Sequence, residues 1–149
     1  MGSPLNGLIA TEDTLRLLVQ HLIDSQQGLQ KIGEELHSEP VRLRFLAESL
    51  ERAQFRGDIE SILHREGERD LNITGTSEGM FLRAWVGLKA ALGGGDNTLL
   101  ATAEEAERAL ANAYIAALER DLPQPVRETL AHQSAAVQQF LHFIATARG

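Results

Sequence analysis

Glu104 and Glu107 stand one helical turn apart in the stretch EEAERALANAY, residues 104–114, and Glu48 falls on the apolar face of an earlier segment. Carboxylates at this spacing are neighbours on a helix, so the pair, joined by Glu48 from another helix, would suit a divalent ion such as iron or manganese. Glu107 raises the sharper question. It lies on the face that Leu100, Ala103, Leu110, Ala111, Tyr114 and Leu118 would bury. An isolated charge away from water is costly, so this carboxylate must be paired, hydrogen-bonded, protonated or metal-bound.

Three other polar residues occupy comparable positions. Gln26, Arg52 and Gln133 each lie near the middle of a helical stretch, on or beside its apolar face. Aligned side by side, they would meet Glu107 at about one height and form a polar layer. Two chemistries are open for that layer. In one, Glu104, Glu107 and Glu48 hold a metal. In the other, Arg52 supplies the positive charge, and the Arg52–Glu107 pair is braced by Gln26, Gln133 or Tyr114. The ion pair accounts for all the layer residues without a cofactor, so none is expected. The only Glu-x-x-His is EELH, residues 34–37, placed beside a turn with Glu34 off the stripe.

These residues need long helices to position them. The first, over 11–36, opens on TEDT with Thr11 as a cap, and buries Leu15, Leu18, Leu22, Leu29, Ile32 and Leu36. A connection with Ser38 as cap and Pro40 in the first turn leads to a helix over 40–66 that stops at Gly67. Its inward face carries Val41, Phe45, Phe55, Ile59, Ile62 and Leu63 together with Glu48 and Arg52, while Leu43, Leu46, Leu50 and Ala53 make a second apolar strip. Helices are also expected over 98–121 and 125–146, the last presenting Val126, Leu130, Gln133, Val137, Phe140 and Ile144. The segment 68–97 is too long for a plain turn. It is expected to hold a short helix over 78–92, with Phe81, Trp85, Leu88 and Leu92 on one side, and to run back along neighbours ~40 Å long. Asp96 is placed to cap the helix that follows. Short, long and short connections give an antiparallel four-helix bundle with one crossover, the ferritin-like layout, in a single domain over 1–149.

Composition narrows the function classes. Leu, Ala, Glu, Gln and Arg dominate, and aromatic residues are only 5% of the chain, so an all-α fold is expected. Zero cysteines exclude thiolate nucleophiles, disulfides and cysteine-bound metals. A net charge of −7 with scattered basic residues argues against nucleic acid and anionic membranes as partners. MFLRAWVGLKAAL, the most apolar run, is interrupted by Arg83 and Lys89 and is too short to span a bilayer. The opening residues lack the basic start and apolar core of a signal peptide, so a cytoplasmic protein is expected.

Five segments carry a family resemblance: LNGLI at 5–9, RAQF at 52–55, RAWVGLKAALGGGD at 83–96, EEAERALANAY at 104–114 and ALERDLPQPVRE at 117–128. Through them the chain resembles a bacterial ferritin-like family, a domain of unknown function distantly similar to rubrerythrin and ferritin bundles. The resemblance implies the four-helix fold over nearly all of the chain, and Glu104, Glu107 and Tyr114 match the family's third-helix pattern. That pattern has a glutamate where this chain has Gln26 and a histidine close to Leu141, departures that imply a degenerate metal site. The expected function is therefore non-catalytic, through association as a homodimer or with a protein partner, motivated by the strip on helix two and by Phe81 and Trp85. An iron- or manganese-binding protein with oxidase or sequestration activity is the alternative.

Overall fold

The computed structural model describes residues 4–67, 73–76, 79, 82–83, 85–86 and 95–148, and residues 4–10 by backbone alone. Four helices run through these residues: α1 (Pro4–Glu35), α2 (Glu39–Arg65), α3 (Asp96–Leu118) and α4 (Gln124–Arg148). No strand occurs among the described residues, and the fold is all-α.

The helix ends differ from the sequence expectation in four places. α1 starts at Pro4, where a proline lacks only an N–H that a first turn leaves unbonded anyway. Thr11, expected as its cap, is therefore interior and buried. Ser38 does occupy the cap position of α2, but its hydroxyl makes no capping bond. Gly95, not Asp96, caps α3. The Asp96 carboxylate instead accepts the main-chain N–H groups of His37 and Ser38, both at 2.9 Å, and so clasps the α1–α2 connection. Partial burial alone would raise the Asp96 pKa, but these bonds and the His37 ring outweigh it and hold it below the usual 3.8. Finally, α3 ends at Leu118, not near Asp121. Pro123 disfavours helical backbone at Leu122, and Arg127 of α4 donates to the carbonyls of Leu118 and Arg120 at 2.8 and 2.6 Å.

α2 stops as expected, with Gly67 at φ 89°, a backbone state that favours glycine. The short helix expected over 78–92 lies mostly outside the described residues. All of those described there, 79, 82–83 and 85–86, are helical, and Val86 is buried.

α1 packs on α2 and α3, and α4 packs on α3 and more thinly on α2. Gly33 allows a close approach of α1 to α2: a Cβ there would stand 3.0 Å from Leu46 and 3.2 Å from Phe45. The core divides into two apolar clusters. One joins Leu15, Leu18 and Leu22 of α1 to Ile59, Leu110 and Leu130. The other joins Leu29 and Ile32 to Phe45, Leu100, Phe140 and Ile144. On α1, α2 and α3 the residues between the two clusters are polar and buried: Ser25, Glu48, Ser49, Arg52 and Glu107.

Candidate functional site

Arg52 is the centre of this polar layer. It has no exposed surface at all, although it is among the largest side chains in the chain. The α2 face that buries Phe45 and Phe55 carries Arg52 inward with them, so the helix has no choice but to bring a guanidinium into the core. One nitrogen, Nη1, donates to Glu48 at 3.1 Å, one turn back on the same helix. The other, Nη2, donates to Glu107 of α3 at 3.2 Å. Arg52 Nε has no acceptor among the described residues. The rings of Phe55 and Phe140, with centroids 5.7 and 5.6 Å from the guanidinium carbon, lie within cation–π range.

Glu107 is 1% exposed, and both of its oxygens are engaged. Arg52 bonds Oε2, and the Ser25 hydroxyl of α1 donates to Oε1. Glu48 likewise spends one oxygen on Arg52 and the other on Arg44 Nε at 2.9 Å. The result is a chain of alternating charge, Arg44–Glu48–Arg52–Glu107, that enters from the surface and ends in the core. Three helices contribute polar groups to it, while α4 contributes the face of Phe140.

The residues expected to form one layer thus separate into two. Arg52 and Glu107 meet, as just described. Tyr114 and Gln133 belong to a second network in the first apolar cluster, where the phenol donates to Gln133 Oε1 at 2.7 Å and the amide donates to the Phe55 carbonyl at 3.2 Å. Burial raises the Tyr114 pKa far above its usual 10.0, the Arg52 charge opposing and Glu107 and Asp58 adding to the rise. The Tyr114 hydroxyl is held as a hydrogen-bond donor. Gln26 is half-buried, and its main-chain carbonyl accepts from Ser49 at 2.8 Å. Ser25 takes the place in the layer expected for Gln26.

The metal-ligand set expected from the sequence does not assemble. Glu104 lies one turn from Glu107 but faces the surface, where Arg108 and Arg148 bond its two oxygens at 2.9 and 2.7 Å. Glu48 and Glu107 lie on opposite sides of Arg52, so a dication between them would have to displace a guanidinium and its positive charge. In the EELH segment Glu34 bonds Gln30, and His37 bonds Asp96. Among the described residues no group of three or more His, Asp or Glu side chains is placed to hold a metal ion.

Ser25 and Gln26 both fall in the Leu22–Leu29 step, where polarity enters the buried face of the first helix, and the expected layer took Gln26. One residue beside the site escaped the sequence reading. Asp24 carried no signal, yet it accepts both the N–H and the hydroxyl of Thr76 and so fixes the long connection to α1. No described helix is long and apolar enough to cross a membrane. A family model described as Domain of unknown function (DUF2383) matches residues 10–120. No curated protein matches the chain.

Proposed function

The chain belongs to the DUF2383 family, Domain of unknown function, and from that premise we propose that it is a non-catalytic, ferritin-like antiparallel four-helix bundle. In this reading an ion-pair layer stands in place of a di-metal centre, and the protein acts by association with itself or with a protein partner. One observation carries it: Arg52, fully buried, lies between Glu48 and Glu107, the carboxylates that a metal would need. A guanidinium there supplies the charge that a dication would otherwise bring, and it repels a second cation. Association is supported by α2, which turns Glu48 and Arg52 inward while Leu43 and Leu50 are 58% and 73% exposed on its outer side.

Elemental analysis of chelator-treated protein, followed by anaerobic Fe(II) and then air, tests the layer. No stoichiometric uptake and no oxidation transient are expected. Stoichiometric iron with a transient that disappears in Glu107→Gln would establish the metal-binding alternative instead. Light scattering tests association: the native chain should exceed the monomer mass, alone or with its partner, and Leu50→Glu should reduce it to monomer.

A further inference from the structure

The outer side of α2 carries an exposed row, Leu43, Ala47, Leu50 and Gln54, at intervals of four, three and four residues. That spacing keeps the row on one line of the helix, the pattern of a helix-to-helix seam. Among the described residues, the neighbours of α2 lie to either side of the row. α1 approaches at Leu46, through Gly33, and at Ser49, whose hydroxyl donates to the Gln26 carbonyl. α4 approaches at Arg44, which stands over the Phe143 ring at 4.6 Å. The described part of the long connection meets α1 instead, Thr76 at Asp24 and Leu82 at Gly28.

Two charges on the α4 side of the row decide what can cover it. Arg44 and Glu51 stand two turns apart on the same flank, and their side chains are 39% and 41% exposed. Arg44 bonds Glu48 through Nε, and Glu51 meets Arg52 through Oε1 at 3.5 Å, so neither bond uses the Arg44 Nη atoms or Glu51 Oε2. Consider a second α2 running antiparallel, related by a two-fold axis that crosses the helix between Ala47 and Glu48. Arg44 then stands level with Glu51 of the partner subunit, on the same flank, and symmetry repeats the pair at the other end. The same axis brings Leu50 of the partner subunit between Leu43 and Ala47, a knob entering a hole. One axis thus satisfies the charges and the leucines together. A parallel pairing would instead turn Arg44 toward Arg42 of the partner subunit, like charge against like.

We propose that the chain forms a two-fold homodimer through antiparallel α2 helices, Leu43, Ala47 and Leu50 interleaving at its centre and Arg44 pairing with Glu51 of the partner subunit on each side. This rests on the association reading above and names the partner and its direction. The leucines supply the affinity, since ion pairs at a solvated rim contribute little by themselves, and the charges fix the orientation.

The chain has no cysteine, so a single introduced thiol reports only on contact between two copies. Oxidation of Ala47→Cys, beside the axis, should give a disulfide-linked dimer. Gln54→Cys should not, because its counterpart in the partner subunit lies about 20 Å away along the helix axis, whereas a parallel dimer would cross-link at both positions. Sedimentation of the full chain over a concentration series should show a monomer–dimer equilibrium, about tenfold weaker for Glu51→Lys with helical circular dichroism unchanged. A native chain that stays monomeric overturns the homodimer while leaving a different protein as the partner of α2. A dimer that cross-links at Gln54→Cys as readily as at Ala47→Cys, or that Glu51→Lys leaves at native strength, overturns the antiparallel arrangement while leaving self-association.

Discussion

Glu107 and Glu104 stand one turn apart on α3 and meet opposite fates. Glu107 is buried against Arg52 and Ser25, and Glu104 lies at the surface against Arg108 and Arg148. Both are paired with arginine at close range, so the pair distances do not distinguish them. What differs is the medium. At Glu104 water screens the charges and re-solvates either partner if the other is lost. At Glu107 the apolar clusters on both sides leave no such substitute, and its charge depends on Arg52.

The contrast breaks most visibly at Arg52. Arg52→Ala, which leaves Glu107 buried without a cation, should lower stability by about 3–5 kcal/mol in urea denaturation, and Glu107→Ala should cost less, because Arg52 keeps Glu48. Arg52→Met combined with Glu107→Leu should recover most of that loss, because no orphan remains between them. Additive losses in the double variant would show that the two residues do not act as a pair. Tyr114→Phe should cost less, about 1–3 kcal/mol, by leaving Gln133 Oε1 without its donor. The same tyrosine gives an alkaline signature. Its folded pKa is raised, so its contribution is complete below the usual 10.0 and is lost as pH rises beyond it. Phenolate absorbance should therefore appear together with loss of helix, not before it.

Glu104→Gln should have the smallest effect, with a urea midpoint at neutral pH close to that of the native chain. Its trace should appear only in acid. The Arg148 hydrogen bond, opposed by burial and aided by Arg108, holds the Glu104 pKa below the usual 4.5. Its contribution is thus present above 4.5 and lost as pH falls through the lowered value. Stability-against-pH curves should show a shallower acid limb for Glu104→Gln. A loss at neutral pH comparable to that of Glu107→Ala would erase the distinction between the two faces.

Much of this arrangement was legible in periodicity. Leu15, Leu18, Leu22, Leu29, Ile32 and Leu36 are all buried, as are Phe45, Phe55, Ile59 and Leu63 of α2. Arg52 and Glu107 could be placed inside for the same reason: a rigid helix carries its polar residues wherever its apolar ones go. Ser25 and Gln26 could not be told apart, because they sit symmetrically between Leu22 and Leu29 and only the rotation of α1 against α3 decides between them. Glu104 was misplaced by a similar margin. Three residues of helix leave it 60° from Glu107, enough to reach Arg148 and water. Asp96 and Asp24 act on segments 52 to 59 positions away, at His37, Ser38 and Thr76, and no local pattern encodes such partners.

Two of the carboxylates that Arg52 meets, Glu48 and Glu107, also differ in when they become available. Glu48 is four residues away on the same helix and Glu107 is 55 away in the chain. A helical turn forms on the microsecond scale or faster, whereas closing a long loop carries an added entropic cost. Arg52 therefore has a counter-ion before α3 docks, and the α1–α2 pair can assemble first without burying a lone charge. In refolding kinetics, Glu48→Gln should mainly slow folding, while Glu107→Gln should mainly speed unfolding. The order of assembly follows from which partner Arg52 can reach without leaving its own helix.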